Sequence, residues 1–131
     1  MTDLVDATAA MWRRGGHVWG QSDCLLSIGD YIAAAGGKDV TGLFRGTYDD
    51  EAGAMAYVER YGGHGALIDL TGAARTETPG RGDVAVIDTG YNEIGALCTG
   101  DGYILRLERG VIEINARFVD VLIAWKVSND G

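Results

Sequence analysis

The sequence predicts a single α+β domain in which helices come first and an antiparallel sheet follows. Three stretches in the first half of the chain combine helical spacing of apolar residues with a capping residue before them and glycines after them. The second half holds short apolar runs separated by brief glycine-containing gaps, which is the pattern of consecutive hairpins. This order of elements is typical of a sheet with helices packed on one face.

The composition excludes several classes of protein. The chain has 131 residues, of which 47% are hydrophobic, so residues 1–131 can form one domain with a continuous core. The net charge of −8 argues against a nucleic-acid partner or an anionic membrane surface, because no basic stripe is available for phosphates. No apolar run approaches the roughly 20 residues of a membrane-spanning helix, and no signal peptide is visible.

The helix boundaries follow from side chains that can cap free backbone N–H groups and from glycines that end a helix. The first helix is predicted to bury one face, which consists of Leu4, Ala7, Met11 and Trp12. The predicted helices are residues 2–14 with Thr2 as cap, 23–35 with Ser22 or Asp23 as cap, and a third from Asp49 or Asp50 to Gly62.

The predicted sheet has about five strands between residues 83 and 127. Short connections with glycine indicate an antiparallel meander. Residues 66–70 form an apolar run of uncertain type, and residues 71–82 are rich in turn-forming residues. The predicted strands are 83–88, 93–99, 103–107, 111–114 and 121–127.

The stretch from Trp19 to Leu26 contains the main candidate for chemistry. It is a glycine-bearing loop that runs into the second helix and places Cys24 in the first helical turn. Free N–H groups and the helix dipole favour an anion there, so a thiol is biased toward thiolate. Cys24 is therefore a candidate nucleophile, and the alternative is a small core thiol beside Leu25.

The two cysteines do not have the spacing of a metal site. Cys24 and Cys98 form no CxxC motif and have no neighbouring ligand at zinc spacing, so no metal and no cofactor is expected. Cys98 and Glu93 alternate along one predicted strand and should point to opposite faces, with Cys98 in the core. Both thiols are expected to be reduced unless the fold brings them together.

Four short motifs resemble those of the NlpC/P60 family of papain-like cysteine peptidases. That family has a Trp-Gly loop, an Asp-Cys at a helix start, a Gly-Asp before the first strand, and a glycine-bearing strand that carries the base. The resemblance implies a papain-like fold and cleavage of amide bonds in peptidoglycan stem peptides. The matching segments here are His17-Val18-Trp19-Gly20, Asp23-Cys24-Leu25-Leu26, Gly82-Asp83-Val84-Ala85-Val86 and Glu93-Ile94-Gly95-Ala96.

The resemblance assigns Cys24 to the nucleophile position and Glu93 to the position of the base. A carboxylate is a poor partner for a thiol, because its charge raises the thiol pKa. The imidazoles available are those of His17, seven residues before Cys24, and of His64. His17 is the candidate base, with Glu93 or Asp23 to orient it, whereas His64 is interpreted as a solvated loop residue. The third, orienting position of the family falls near residues 105 and 106, where neither side chain suits the role.

A closer resemblance, over almost the whole chain, is to small phage and prophage proteins that are related to NlpC/P60 and are usually encoded among tail-tip genes. It implies a tail-tip component of a phage or gene-transfer-like particle, with a degenerate peptidase site. Such a protein would contact hub and other tail proteins in the virion, after assembly in the host cytoplasm. The segments that carry this resemblance are Trp19-Gly20, Asp23-Cys24, Arg45-Gly46-Thr47-Tyr48, Gly82-Asp83-Val84 and Ala124-Trp125-Lys126-Val127.

Two alternatives remain open at this point. The first is an active cysteine amidase or endopeptidase that opens host peptidoglycan with Cys24 and His17. The second is a module that keeps the ancestral cleft to bind a peptide or glycan.

Overall fold

The structure is a computed structural model, and it describes residues 3–127. Helices precede the sheet along the chain, so the α+β class is confirmed. None of the helices in this described range has the length and apolar character needed to cross a bilayer. The α-helices are α1 Leu4–Arg14, α2 Cys24–Ala34, α3 Glu51–Tyr61 and α4 His64–Asp69, and 3-10 helices occur at Thr41–Leu43 and Ala116–Phe118. The strands are β1 Ala74–Arg75, β2 Val84–Asp88, β3 Glu93–Cys98, β4 Gly102–Leu107, β5 Gly110–Asn115 and β6 Asp120–Lys126.

Each of the three long helices begins after an aspartate cap. Asp3, Asp23 and Asp50 place a carboxylate oxygen on free backbone N–H groups of the first turn. Thr2 is the predicted cap of the first helix, but Asp3 takes that place; Thr2 itself lies outside the described residues. Gly62 ends α3 in the left-handed conformation at φ 96°, as its glycine pair indicated.

The buried face of α1 differs from the predicted face. Trp12 is buried as expected, but Leu4 and Met11 are 38% and 51% exposed. Both sets of residues follow helical spacing, so periodicity alone does not decide between them. On the outer side of the helix, Arg81 forms ion pairs with Asp3 and Asp6 at the N-terminal end of α1. The residues that pack inward are Val5, Thr8, Ala9 and Trp12.

The sheet has six strands in the described chain, in the order β1-β6-β2-β3-β4-β5, and all neighbours are antiparallel. The predicted meander is confirmed from β2 to β5. The additional strand, β1, has two residues and pairs with β6. A strand of this length has no alternation for a sequence pattern to detect.

The sheet buries both faces. Val84, Leu97 and Trp125 belong to the face that packs against α1, α2 and α4, whereas Cys98 and Leu105 belong to the opposite face. Only residues 116–119 join β5 to β6, although three strands lie between them. In a flat sheet this distance would be about 19 Å, beyond the reach of a short link that is mostly 3-10 helix. The sheet therefore curls and covers its second face itself.

Asp83, from the Gly82-Asp83 motif, links the start of β2 to the end of β6 through hydrogen bonds. Its carboxylate is fully buried. It accepts hydrogen bonds from the N–H of Gly80 at 2.8 Å and of Val127 at 2.9 Å, and Lys126 Nζ lies 3.4 Å away. This motif residue is therefore part of the framework of the fold.

We expect Asp83→Ala to lower the free energy of unfolding by about 2–4 kcal/mol, because two half-buried N–H groups lose a fully buried acceptor. Urea denaturation measures the change. Asp120→Ala is the matched control, because this carboxylate is exposed at the start of β6, and it should cost less than about 0.5 kcal/mol. Equal costs for the two variants would contradict the framework role of Asp83.

Candidate functional site

Asp23 lies at the centre of the loop that the sequence analysis selected. Its side chain is fully buried, and each carboxylate oxygen accepts two hydrogen bonds. The donors are Gly20 N–H at 2.8 Å, Leu25 N–H at 2.9 Å, Leu26 N–H at 2.8 Å and the Tyr48 hydroxyl at 2.6 Å. The side chain is thus committed to the fold, and it is not placed to orient an imidazole.

The Arg45-Gly46-Thr47-Tyr48 segment packs against this loop. Gly46 N–H donates to the Gly20 carbonyl at 2.9 Å, and the Arg45 guanidinium donates to another carbonyl of the loop. Gly20 has φ 82°, and a Cβ there would lie 1.9 Å from the Tyr48 carbonyl oxygen, so only glycine fits. Burial, and then the hydrogen bond to Asp23, raise the pKa of Tyr48, which keeps its hydroxyl a donor. Two segments singled out separately in the sequence are therefore one structural unit.

Cys24 is the first residue of α2 and is half-buried. Burial raises the pKa of its thiol to about 12, and the neighbouring Asp23 carboxylate contributes in the same direction. The backbone N–H groups of Cys24 and Leu25 lower the pKa, as expected at a helix start, but these effects are smaller. The predicted bias toward thiolate is therefore wrong, and the thiol is protonated at neutral pH.

His17 folds back onto the start of α2, as is required of a base that acts on Cys24. Its Nε2 atom accepts a hydrogen bond from the Cys24 backbone N–H at 3.3 Å, and Trp19 packs edge-on against the ring at 4.6 Å. The Nε2 lone pair is thus used, which leaves the proton on Nδ1, a buried atom with no hydrogen-bond partner. Within residues 3–127, no hydrogen bond joins the Cys24 sulfur to an imidazole.

Arg106 holds the loop that carries His17. It lies on β4, is buried, and donates to Ser27 Oγ at 3.1 Å and to the Gly16 carbonyl at 3.0 Å. Burial lowers the pKa of the guanidinium. Leu105 is in the core. Of the two residues near the expected orienting position, Leu105 therefore fills the core and Arg106 fixes backbone.

The interpretation of His64 as a solvated loop residue is wrong. It is the first residue of α4 and is half-buried, and it lines a small cavity that Cys24 also lines. Burial lowers the pKa of His64, and the charge of Glu93 acts in the opposite direction. The glycine pair before it, followed by the apolar run at 66–70, was the signal for a short helix.

Glu93 is exposed at the start of β3, and Cys98 is buried at its end, as the alternation predicted. The carboxylates that raise the Cys24 pKa are Asp23 and Glu51, so Glu93 acts on His64 and not on the thiol. Both cysteines are free. The part of the chain that the structure describes has no cluster of three or more His, Cys, Asp or Glu side chains that could hold a metal ion.

Comparison with known proteins gives a family. Residues 2–127 match a family model described as a domain of unknown function, DUF6950. The chain belongs to this family. No curated protein and no solved structure matches it. The DUF6950 match spans every element described above, from α1 to β6.

Asp23 and Asp50 both cap a helix, but Asp23 is fully buried and the Asp50 cap is exposed. The effect of burial on the strength of a cap can therefore be measured directly. We expect Asp23→Ala to lower the free energy of unfolding by about 3–5 kcal/mol, because a buried network of four hydrogen bonds is lost. Asp50→Ala removes one hydrogen bond at an exposed cap and should cost about 1 kcal/mol. Urea denaturation of both variants tests this, and a similar cost for both would show that Asp23 is an ordinary cap.

The raised pKa of Cys24 predicts slow alkylation. In a Cys98→Ala background, iodoacetamide at pH 8 should modify the native thiol about 1,000-fold more slowly than free cysteine, because so little thiolate is present. The rate should rise about tenfold per pH unit between pH 8 and 11. The same variant in urea is the control and should react like free cysteine. Rapid modification of the native protein at pH 6–7 would contradict the raised pKa of Cys24.

Proposed function

We propose that this domain is a tail-tip component of a phage or gene-transfer-like particle, with an NlpC/P60-type fold whose cysteine site does not hydrolyse peptides. The place in the tail follows from the sequence resemblance. The observation that carries the absence of hydrolysis is the state of Cys24, a neutral and half-buried thiol with no imidazole on its sulfur.

The chemistry of the thiol supports this proposal. A thiol with a pKa of about 12 has a thiolate fraction on the order of 0.00001 at pH 7. Attack on an amide also requires a group that takes the thiol proton and passes it to the leaving amine. His17 uses its acceptor atom on the Cys24 backbone, and Glu93 lies at an exposed strand end.

The structural role of the motif residues also supports the absence of hydrolysis. Asp23 and Tyr48 join the loop at 19–22 to α2, and Asp83 joins β2 to β6. Asp23 and Asp83 belong to segments that resemble the peptidases, and Tyr48 belongs to a segment that resembles the phage proteins. All three act in the framework. A retained framework beside an unreactive thiol suits a structural role in the tail, with hub and other tail proteins as partners.

The proposal predicts that particles carrying Cys24→Ala assemble and infect like the parent, because the thiol has no chemical role. Plaque counts and the amount of the chain in purified tails are the measurements. The unaltered protein should leave a peptidoglycan gel uncleared. Absence of the chain from purified tails would overturn the place in the virion, and clearing that depends on Cys24 would overturn the lack of hydrolysis.

An active amidase is the second candidate, and the position of His17 favours it. Its Nε2 atom is 3.3 Å from the Cys24 nitrogen, so the imidazole lies beside the residue that carries the thiol. Peptidoglycan stem peptides would then be the substrate.

His17→Gln separates the two candidates, because the amide oxygen can still accept from the Cys24 N–H while glutamine cannot carry a proton. For the amidase, gel clearing is expected from the parent and is lost in His17→Gln with an unchanged Tm. For the tail component, the parent and the variant behave alike, and neither clears the gel.

A further inference from the structure

A small apolar cavity lies among α2, α4, β3 and the segment around the first 3-10 helix, and the proposed function leaves it unexplained. Its volume is about 40 Å³. Leu25, Val40, Phe44, Leu67 and Ile94 supply much of the apolar lining. Such a lining favours an apolar occupant, since polar groups entering it would lose hydration.

The polar side chains around the cavity fall into two classes. The hydroxyls of Thr41 and Thr71 are already used, because they donate to the Asp39 carboxylate and to the Ile68 carbonyl, both at 2.7 Å. Among the described residues, neither the Cys24 thiol nor the His64 ring forms a hydrogen bond with another side chain. Burial keeps the pKa of Cys24 high and that of His64 low. Both groups are therefore neutral near pH 7, and each can donate a hydrogen bond to a neutral polar group.

The size and charge of the cavity define what it can hold. About 40 Å³ corresponds to about three water positions, which is close to the size of a branched aliphatic side chain. A charged group would be desolvated without a counter-charge. We propose that this cavity binds one branched aliphatic side chain of a partner polypeptide, with the Cys24 thiol and the His64 ring facing its neutral main-chain amides. The inference rests on the proposed function, because it assumes a cleft that binds a tail protein without cutting it.

The test uses N-acetyl-leucine methylamide, which presents one aliphatic side chain between two neutral amides. Titration into the 15N-labelled full chain should give saturable shifts at the amides of Cys24, Leu25 and Gly95, with a Kd in the millimolar range. N-acetyl-glycine methylamide and N-acetyl-glutamate methylamide should bind at least about tenfold more weakly, because the first lacks the side chain and the second carries a charge.

Two glycines provide a matched pair of variants. Gly95 lines the cavity, and a Cβ there would lie 3.2 Å from Ile28 Cγ1, so Gly95→Ala narrows the space and should weaken binding about fivefold or more. Gly42→Ala adds the same methyl group where nothing lies within 4 Å and should leave the Kd unchanged. If Gly95→Ala does not fold, Leu25→Ala widens the cavity and should tighten binding of N-acetyl-phenylalanine methylamide.

The outcomes separate this inference from the proposed function. Absence of saturable shifts, or equal shifts with the glycine compound, overturns the aliphatic site and leaves the tail proposal standing. Saturable binding that Gly95→Ala weakens, with the compound intact, supports both. Binding followed by release of methylamine supports the aliphatic site and overturns the proposed lack of hydrolysis.

Discussion

The buried carboxylate of Asp23 is the interaction on which the rest of the structure depends. It joins the loop before α2, the first turn of α2 and the Tyr48 hydroxyl through four hydrogen bonds. A buried charge is tolerated only when its hydrogen bonds are complete, so these three parts have to form together. Burial raises the pKa of Cys24, and the same charge adds to that effect. The group that builds the helix start therefore also disfavours the thiolate placed there.

Asp83 repeats this arrangement at the head of β2. It joins the head of β2 to the end of β6, while the Tyr31 hydroxyl donates to the adjacent Gly82 carbonyl at 2.5 Å. The buried aspartates of the two motifs thus mark places where buried polar groups close the framework. The presence of these motifs is evidence for the scaffold, and it is weaker evidence for catalysis.

Sequence reasoning located the candidate site but misjudged its chemistry. Cys24 does begin a helix, and His17 does fold back toward it, because both depend on nearby residues. The thiol pKa depends on the depth of burial, which no local pattern reports. His64 was misplaced because a short helix gives little periodicity, and its cavity is formed by α2, α4 and β3 together.

By itself the sequence determined the α+β order, the places where α2 and α3 begin, the meander from β2 to β5 and the alternation of Glu93 with Cys98. These features are local, since caps, glycine turns and strand alternation act over a few residues. Only the tertiary structure decided the place of β6 beside β2, the buried face of α1 and the protonated state of Cys24. These depend on contacts between distant residues, such as Tyr48 with Asp23 and Val127 with Asp83, whose burial arises only when the whole chain has packed.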